Sequence, residues 1–486
     1  MKFFVILFYL SVQMIIRLAT ADDYNYAEAI EKSLLFYEAQ RSGKLPADNR
    51  IPWRGDTFLT DIGEDGENLS GGYFDAGDHV KFQFPAASAM TYLAWGMLDS
   101  MEGYQKAGQQ EHALACLKWG MDYFIKVHPS PNVLYVQVGN GTEDHRFWGR
   151  PEDWNGSDPR PTLKATTTKP ASDVAGESSA AMAAASMVFR QYGNVEYADI
   201  LLTHAKQLYN FATMYRGLYS DSFPEVKEFY NSNSYEDELL WSAAWLYRAT
   251  GEISYKNDYA KWWTEFNLNY TPERADWSSK LAQAQVLLAK IDGSVQYTTA
   301  ARTFCDKFVY NTPTTPNGLV FISIWGSLRH ISNVVYVCLQ AANIGINSEP
   351  YRQFAKNQMG YILGDTGRSF VVGFGKDPPA SPHHRAASCP DRPAVCDNNA
   401  LSSPEPNPQI LIGAIVGGPN MTDQYVDDRE DYVQNEVTID YNAAYQSSIA
   451  ELCKLYCSGA GTTTVGSFYF FGVVLFGIIN FVNKQL

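Results

Sequence analysis

Two carboxylates three residues apart, Asp75 and Asp78, sit in SGGYFDAGDHVKF (70–82), where glycines free the backbone and an apolar run follows. Such a loop can aim both acids into a cleft for general acid–base work. The competing reading is helix capping, because an aspartate near a helix N-terminus is stabilised by the macrodipole. A third carboxylate, Glu436, lies beside Val437 and among tyrosines in YVDDREDYVQNEVTIDYNAAY (425–445). The plainer reading of so acidic a stretch is a solvated face. In SFVVGFGKDPPASPHHRAASCPDRPAVC (369–396), His383 and Arg385 alternate and so share one side of an extended segment, a pattern that suits hydrogen bonding to sugar hydroxyls. A zinc cluster of His383, His384, Cys389 and Cys396 is the alternative, but its spacing matches no common site.

The elements that must position these groups are helical. Apolar residues recur at helical spacing, as in Leu201, Ala205, Leu208 and in Leu281, Ala284, Leu288, Ile291, while sustained strand alternation is scarce. Twelve helices are expected near 25–42, 84–102, 106–127, 174–192, 195–214, 235–250, 255–266, 277–292, 296–310, 329–344, 347–360 and 438–455. Connections leaving even-numbered helices are only a few residues long and can make only tight antiparallel hairpins. Those leaving odd-numbered helices are long, among them 43–83, 128–173, 215–234 and 361–437, and hold most of the Gly, Pro, Trp and His. In an up-down array, connections of one parity gather at one end. The expectation is therefore all-α, a helical barrel of six hairpins in one domain over 22–457, with the site at the end built from long loops.

With 38 basic against 53 acidic residues the chain carries −15, and −18 once Lys2, Arg17 and Lys484 are set aside, which argues against nucleic acid as a partner. Aromatics make up 14% of residues, with 11 Trp and 31 Tyr, more than a core requires, and sugar rings stack on aromatic faces. Residues 1–21 read as a cleaved secretory leader: Lys2, an apolar run from Phe3 to Ile16, then Ala19, Thr20 and Ala21. Five Asn-x-Ser/Thr sequons, at Asn68, Asn140, Asn155, Asn269 and Asn420, can be glycosylated only in such a chain. Among seven cysteines, Cys389 and Cys396 form the easiest local pair and one thiol is left over. The tail, 458–486, ends in an apolar block from Ser467 to Val482. At ~1.5 Å per residue that block reaches about 24 Å, short of a ~30 Å hydrocarbon core, so a lipid-anchor signal competes with a spanning helix.

These motifs make the chain resemble glycoside hydrolase family 9, the endoglucanases with an (α/α)6 barrel, over about 23–455. SGGYFDAGDHVKF is similar to the family's nucleophilic-water loop, which implies Asp78 as general base with Asp75 helping to hold the water. YVDDREDYVQNEVTIDYNA resembles the acid signature, from Tyr425 and Asp427 through Tyr432, Glu436 and Thr438 to Asn442 and Ala443, and implies Glu436 as proton donor. The histidine signature implies that His383 and Arg385 contact substrate; DHRFWGRPEDW implies the same for His145 and Trp148, and FISIWGSLRHISN for Arg329. Asp427 is placed with the substrate-binding group. Many members carry calcium, for which Asp237 and Glu238 are the candidate ligands; a further carboxylate, expected after Trp277, is replaced by Ser278, with Asp276 close by. Acids at a helix N-terminus are the other reading of that pair, and no cofactor is required for the chemistry.

The resemblance implies an inverting endo-β-1,4-glucanase of the cellulase type, with two carboxyl groups about 6.5–9.5 Å apart so that a water fits between base and sugar. Glu436, partly desolvated, is expected to hold its proton, while Asp78 must stay ionised to accept one. A secreted monomer acting on soluble or amorphous β-1,4-glucan is expected, attached to the outer cell surface if the tail serves as an anchor. The competing readings are a non-hydrolytic glucan-binding protein at the cell surface, and the same barrel acting on mixed-linkage glucan, xyloglucan or xylan.

Overall fold

The computed structural model of the chain describes residues 24–458; the stretch 1–21 expected to be a leader and the apolar tail expected to be an anchor signal lie outside them. All twelve expected helices are present: α1 (Tyr26–Ala39), α2 (Gln83–Lys106), α3 (Gln110–Val127), α4 (Ser172–Gln191), α5 (Val195–Met214), α6 (Glu236–Thr250), α7 (Ile253–Glu265), α8 (Leu281–Ile291), α9 (Val295–Asp306), α10 (Ser327–Asn343), α11 (Ser348–Leu363) and α12 (Ile439–Tyr456). The even-numbered helices form a ring in which each touches the next and α12 closes on α2. The odd-numbered helices pack outside them, and the sixth pair joins α12 to α1 from opposite ends of the chain.

Burial separates the two shells. Every residue of α12 from Ile439 to Cys453 is buried, as is α8 from Leu281 to Ala289, as expected of helices surrounded by protein. The outer α5 buries one stripe, including Ala198, Leu201, Ala205 and Leu208, and leaves the opposite face to solvent. Among the described residues, no helix is long and apolar enough to cross a membrane.

Two features differ from expectation, while the cysteines follow it, with Cys389 paired to Cys396 and one thiol left over. α8 starts at Leu281 rather than 277, because the Asp276 carboxylate accepts from the Ser278 N–H (2.9 Å) and hydroxyl (3.0 Å), closing a turn that delays the helix and leaves Trp277 in the loop. A small antiparallel sheet, β1 (Lys81–Phe82), β2 (Leu134–Val138) and β3 (Thr162–Ala165), joins two of the long loops. All five residues of β2 are buried, so no polar–apolar alternation marked it in the sequence. Disulfides Cys305–Cys338, Cys389–Cys396 and Cys453–Cys457 leave Cys116 as a buried thiol. The second of these removes both thiolates that a zinc cluster at His383 and His384 needed.

Candidate active site

The long connections meet over the N-termini of the inner helices, and three of them are tied to one another through their backbones. The Ile439 N–H, which opens α12, donates to the Asp75 carbonyl (2.9 Å). His383 N–H donates to Asn435 O (2.8 Å) and Arg385 N–H to Gly77 O (3.2 Å). The segments carrying Asp75 and Asp78, His383 and Arg385, and Glu436 are thus held in one frame. Gly77 permits the close approach, since a Cβ there would stand 2.4 Å from His383 O and 2.7 Å from the His384 Cα. Behind the first loop, the buried Asp61 carboxylate receives Lys81 Nζ (2.8 Å) and both Arg160 Nε (2.9 Å) and Nη2 (2.7 Å). Arg160 also donates to the carbonyl of His79, the residue after Asp78.

These loops enclose a cavity of ≈ 660 Å3 lined by Asp75, Asp78 and Glu436 together with Phe82, Trp148, Phe229, Tyr230, Trp277, Trp325, Tyr432 and Tyr441. It is polar where the carboxylates stand and aromatic along its walls, the composition of a site for a flat, hydroxyl-rich ligand. Trp148, His383, Tyr432 and Trp325 form a continuous aromatic wall, with successive ring centroids 5.2, 6.0 and 5.5 Å apart.

The three carboxylates have different surroundings. Glu436 Oε2 accepts from Trp325 Nε1–H (2.7 Å) and from the Tyr441 hydroxyl (2.9 Å). With Oε2 so occupied, a proton on this carboxyl belongs on Oε1. Burial raises the Glu436 pKa above the ordinary glutamate range, against the pull of the Trp325 and Tyr441 hydrogen bonds and the Arg329 charge. Asp75 is driven well above the carboxylate range by burial and then by the charge of Asp78, while the Tyr230 hydroxyl, which donates to its Oδ2, pulls the other way. Asp78 Oδ2 lies 3.4 Å from His145 Nε2. Oδ1 of Asp75 and Oδ1 of Asp78 are buried without a hydrogen-bond partner among the described residues.

His145, Trp148, Arg329, His383 and Arg385 all line the cavity. His383 donates Nδ1–H to the Arg429 carbonyl (2.6 Å), which leaves Nε2 for a ligand, and burial lowers its pKa to about 4. Arg385 pairs with the buried Asp144, and Trp148 Nε1–H donates to Ser388 Oγ (2.9 Å). Asp427 differs: it is not part of the cavity lining. Its carboxylate accepts from the backbone N–H groups of Ala380 (2.7 Å) and Ser381 (3.0 Å), so it braces the loop that carries His383. Neighbouring Asp431 caps the short helix Tyr432–Asn435, so part of the acidic stretch serves as cap and brace, while Asp428 and Glu430 remain exposed. Sequence reasoning missed Tyr230, Trp325, Tyr441 and Asp144. Trp325 sits four residues before Arg329 in the same motif, the one signal that pointed to it; Tyr230 lies in a loop with no motif.

Asp237 and Glu238 open α6 as buried groups. Asp237 Oδ2 accepts from the Lys280 N–H (2.7 Å), so one of its oxygens ties the start of α6 to the start of α8. Both Glu238 oxygens are buried without a partner among the described residues, and burial and then the charge of Asp237 raise its pKa well above the usual range. A hard cation with oxygen ligands fits such an orphaned carboxylate. Asp276 is committed elsewhere, to Ser278 and to Arg274 Nε (2.9 Å).

A ring of six inner helices under a loop-built, aromatic, carboxylate-lined cleft defines a glycoside hydrolase of the (α/α)6 class. The profile of Glycosyl hydrolase family 9 matches residues 26–449, and the chain belongs to that family. It is 51% identical to the endoglucanase of the termite Nasutitermes takasagoensis, whose structure superposes with a TM-score of 0.87 over 89% of this chain and 99% of that one. The cellulase Cel9M of C. cellulolyticum, solved with cellobiose, is 32% identical with a TM-score of 0.83, covering 90% of this chain and all of the other (100%). Endoglucanase 5 of Arabidopsis thaliana is 41% identical over 94% of this chain and 78% of its own length.

Proposed function

We propose that this family 9 glycoside hydrolase is an endo-β-1,4-glucanase that inverts the anomeric carbon, with Asp78 as general base and Glu436 as general acid. The observation that carries the reading is that a half-buried Glu436, with both donors on Oε2, shares one aromatic cavity with the Asp75–Asp78 pair. A glucan chain lies along the aromatic walls. Glu436 Oε1–H donates its proton to the glycosidic oxygen as the C1–O bond breaks. A water on the opposite face attacks C1 and gives its proton to Asp78. Asp75, fixed by Tyr230 and Ile439, keeps the proton that burial and the Asp78 charge favour and orients the water through Oδ1. Asp75→Asn is therefore expected to lower kcat less than Asp78→Asn; the reverse order would exchange their roles. Reducing-end release and product profiling on a panel of β-glucans test the substrate: internal cleavage of β-1,4-glucan is expected, and release from mixed-linkage glucan, xyloglucan or xylan alone would contradict it. The binding-only alternative is not favoured, because the relatives described above are endoglucanases or cellulases.

Calcium held by Asp237 and Glu238 would be structural, relieving the buried charge at the start of α6 and so firming the loop end of the barrel. Addition of calcium should raise Tm and EDTA should lower it; a Tm unmoved by either removes the ion from the account. The enzyme is proposed to act as a secreted monomer tethered by its tail to the outer cell surface. A phosphatidylinositol-specific phospholipase should release it from cells, and enzyme retained after treatment would point instead to the spanning helix.

A further inference from the structure

Beneath Glu436 lies a buried charged cluster in which the motifs assign Arg329 but give no role to its neighbour His330. Arg329, in the first turn of α10, lies with its guanidinium carbon 5.1 Å from the centre of the Tyr441 ring and donates from Nη1 to Asp440 Oδ2 (3.2 Å). Tyr441 in turn donates to Glu436. Behind Arg329, its Nη2 lies 2.9 Å from His330 Nε2. A guanidinium has only donors, so His330 Nε2 must be the unprotonated acceptor and its proton sits on Nδ1. That Nδ1 lies 4.0 Å from Asp276 Oδ2, too far for a hydrogen bond, and has no hydrogen-bond partner among the described residues. Asp276 is held in place by Ser278 and Arg274. His330 is 3% exposed and absent from the cavity lining.

We propose that His330 is a positioning residue for the proton donor: as the Nδ1–H tautomer between Asp276 and Arg329, it fixes the guanidinium that packs on Tyr441 behind Glu436, the nearest cation acting on the acid, and so helps to set the pH at which activity falls on the alkaline side. The inference rests on the assignment of Glu436 as acid. The charged groups around the pair come from several elements. Arg329 faces His330 from α10 itself, Asp276 and Arg274 from the turn before α8, and Asp440 stands beyond Arg329 on α12. Lys280, at the start of α8, acts on Asp440. Asp78 acts on Glu436 from across the cavity, and Asp75 and Tyr230 share that wall. Burial and then the Arg329 charge push the His330 pKa down to about 3, so the ring stays neutral through the working range.

His330→Leu removes the acceptor, and His330→Gln restores one at the position of Nε2 with an amide N–H toward Asp276. In kcat–pH profiles on carboxymethylcellulose, the leucine variant is expected to move the alkaline limb up by about half a pH unit or more with little change in KM. The glutamine variant should return it to the parent position. A limb that stays in place or moves down in His330→Leu overturns the proposal, as does a glutamine variant that behaves like leucine. Should the leucine variant fail to fold, 15N NMR of histidine-labelled parent enzyme decides: a pyridine-type Nε2 on His330 supports the proposal, and a protonated Nε2 overturns it. Failure of the underlying assignment is separate, because it would show as an alkaline limb still present in Glu436→Gln.

Discussion

Glu436→Gln enzyme is expected to lose at least about a hundredfold in turnover on carboxymethylcellulose, yet to cleave an activated aryl cellobioside at close to the parent rate. A sugar hydroxyl leaves badly without a proton, whereas a nitrophenolate leaves unaided, so only the first substrate needs the acid. The amide keeps the shape of the side chain and can still accept from Trp325 and Tyr441 through its oxygen. The sign of the pH dependence follows from the same group. The acid works only when protonated, so activity falls as pH rises through its pKa, and burial moves that limb upward from where an exposed glutamate would put it. Parallel loss on both substrates would mean that the acid role belongs elsewhere.

Asp78→Ala should behave differently. It is expected to lose at least about a hundredfold on both substrates, because each needs an activated nucleophile whatever its leaving group. The deleted carboxylate leaves room beside His145 for a small anion. Azide, which needs no base, should attack C1 there while Glu436 protonates the leaving oxygen, restoring turnover and yielding an α-glycosyl azide from a β-glucoside. Rescue that gave the β-azide, or no rescue with the fold intact, would remove Asp78 from that role.

Much of this was legible in the residues. The 3.6-residue spacing of Leu201, Ala205 and Leu208 marked α5, and the parity of short and long connections implied a barrel with one loop-built end. The pairing of α1 with α12 was hidden, because contacts between chain ends leave no local pattern. Strand β2 escaped because full burial erases alternation, and the late start of α8 because the Asp276 side chain competes with helical hydrogen bonding. In the site, motifs pointed to the three carboxylates and to His383 and Arg385 but did not single out Trp325, Tyr441 or Asp144 within them, and Tyr230, whose hydroxyl reaches Asp75 from 155 positions away, had nothing beside it to mark it. Asp427 shows the opposite error: a motif position whose carboxylate serves the backbone of a neighbouring loop, a role that spacing alone does not distinguish from contact with a ligand.

The central claim is a single displacement at C1 by water, with acid and base on opposite faces of the sugar. It is tested most directly by 1H NMR of the first reducing ends released from a β-1,4-glucan oligomer, read before mutarotation. Inversion predicts that the α-anomer appears first and decays toward the equilibrium mixture. A β-anomer appearing first would require a covalent intermediate and two displacements, and would contradict both Asp78 as base and Glu436 as acid in a one-step reaction.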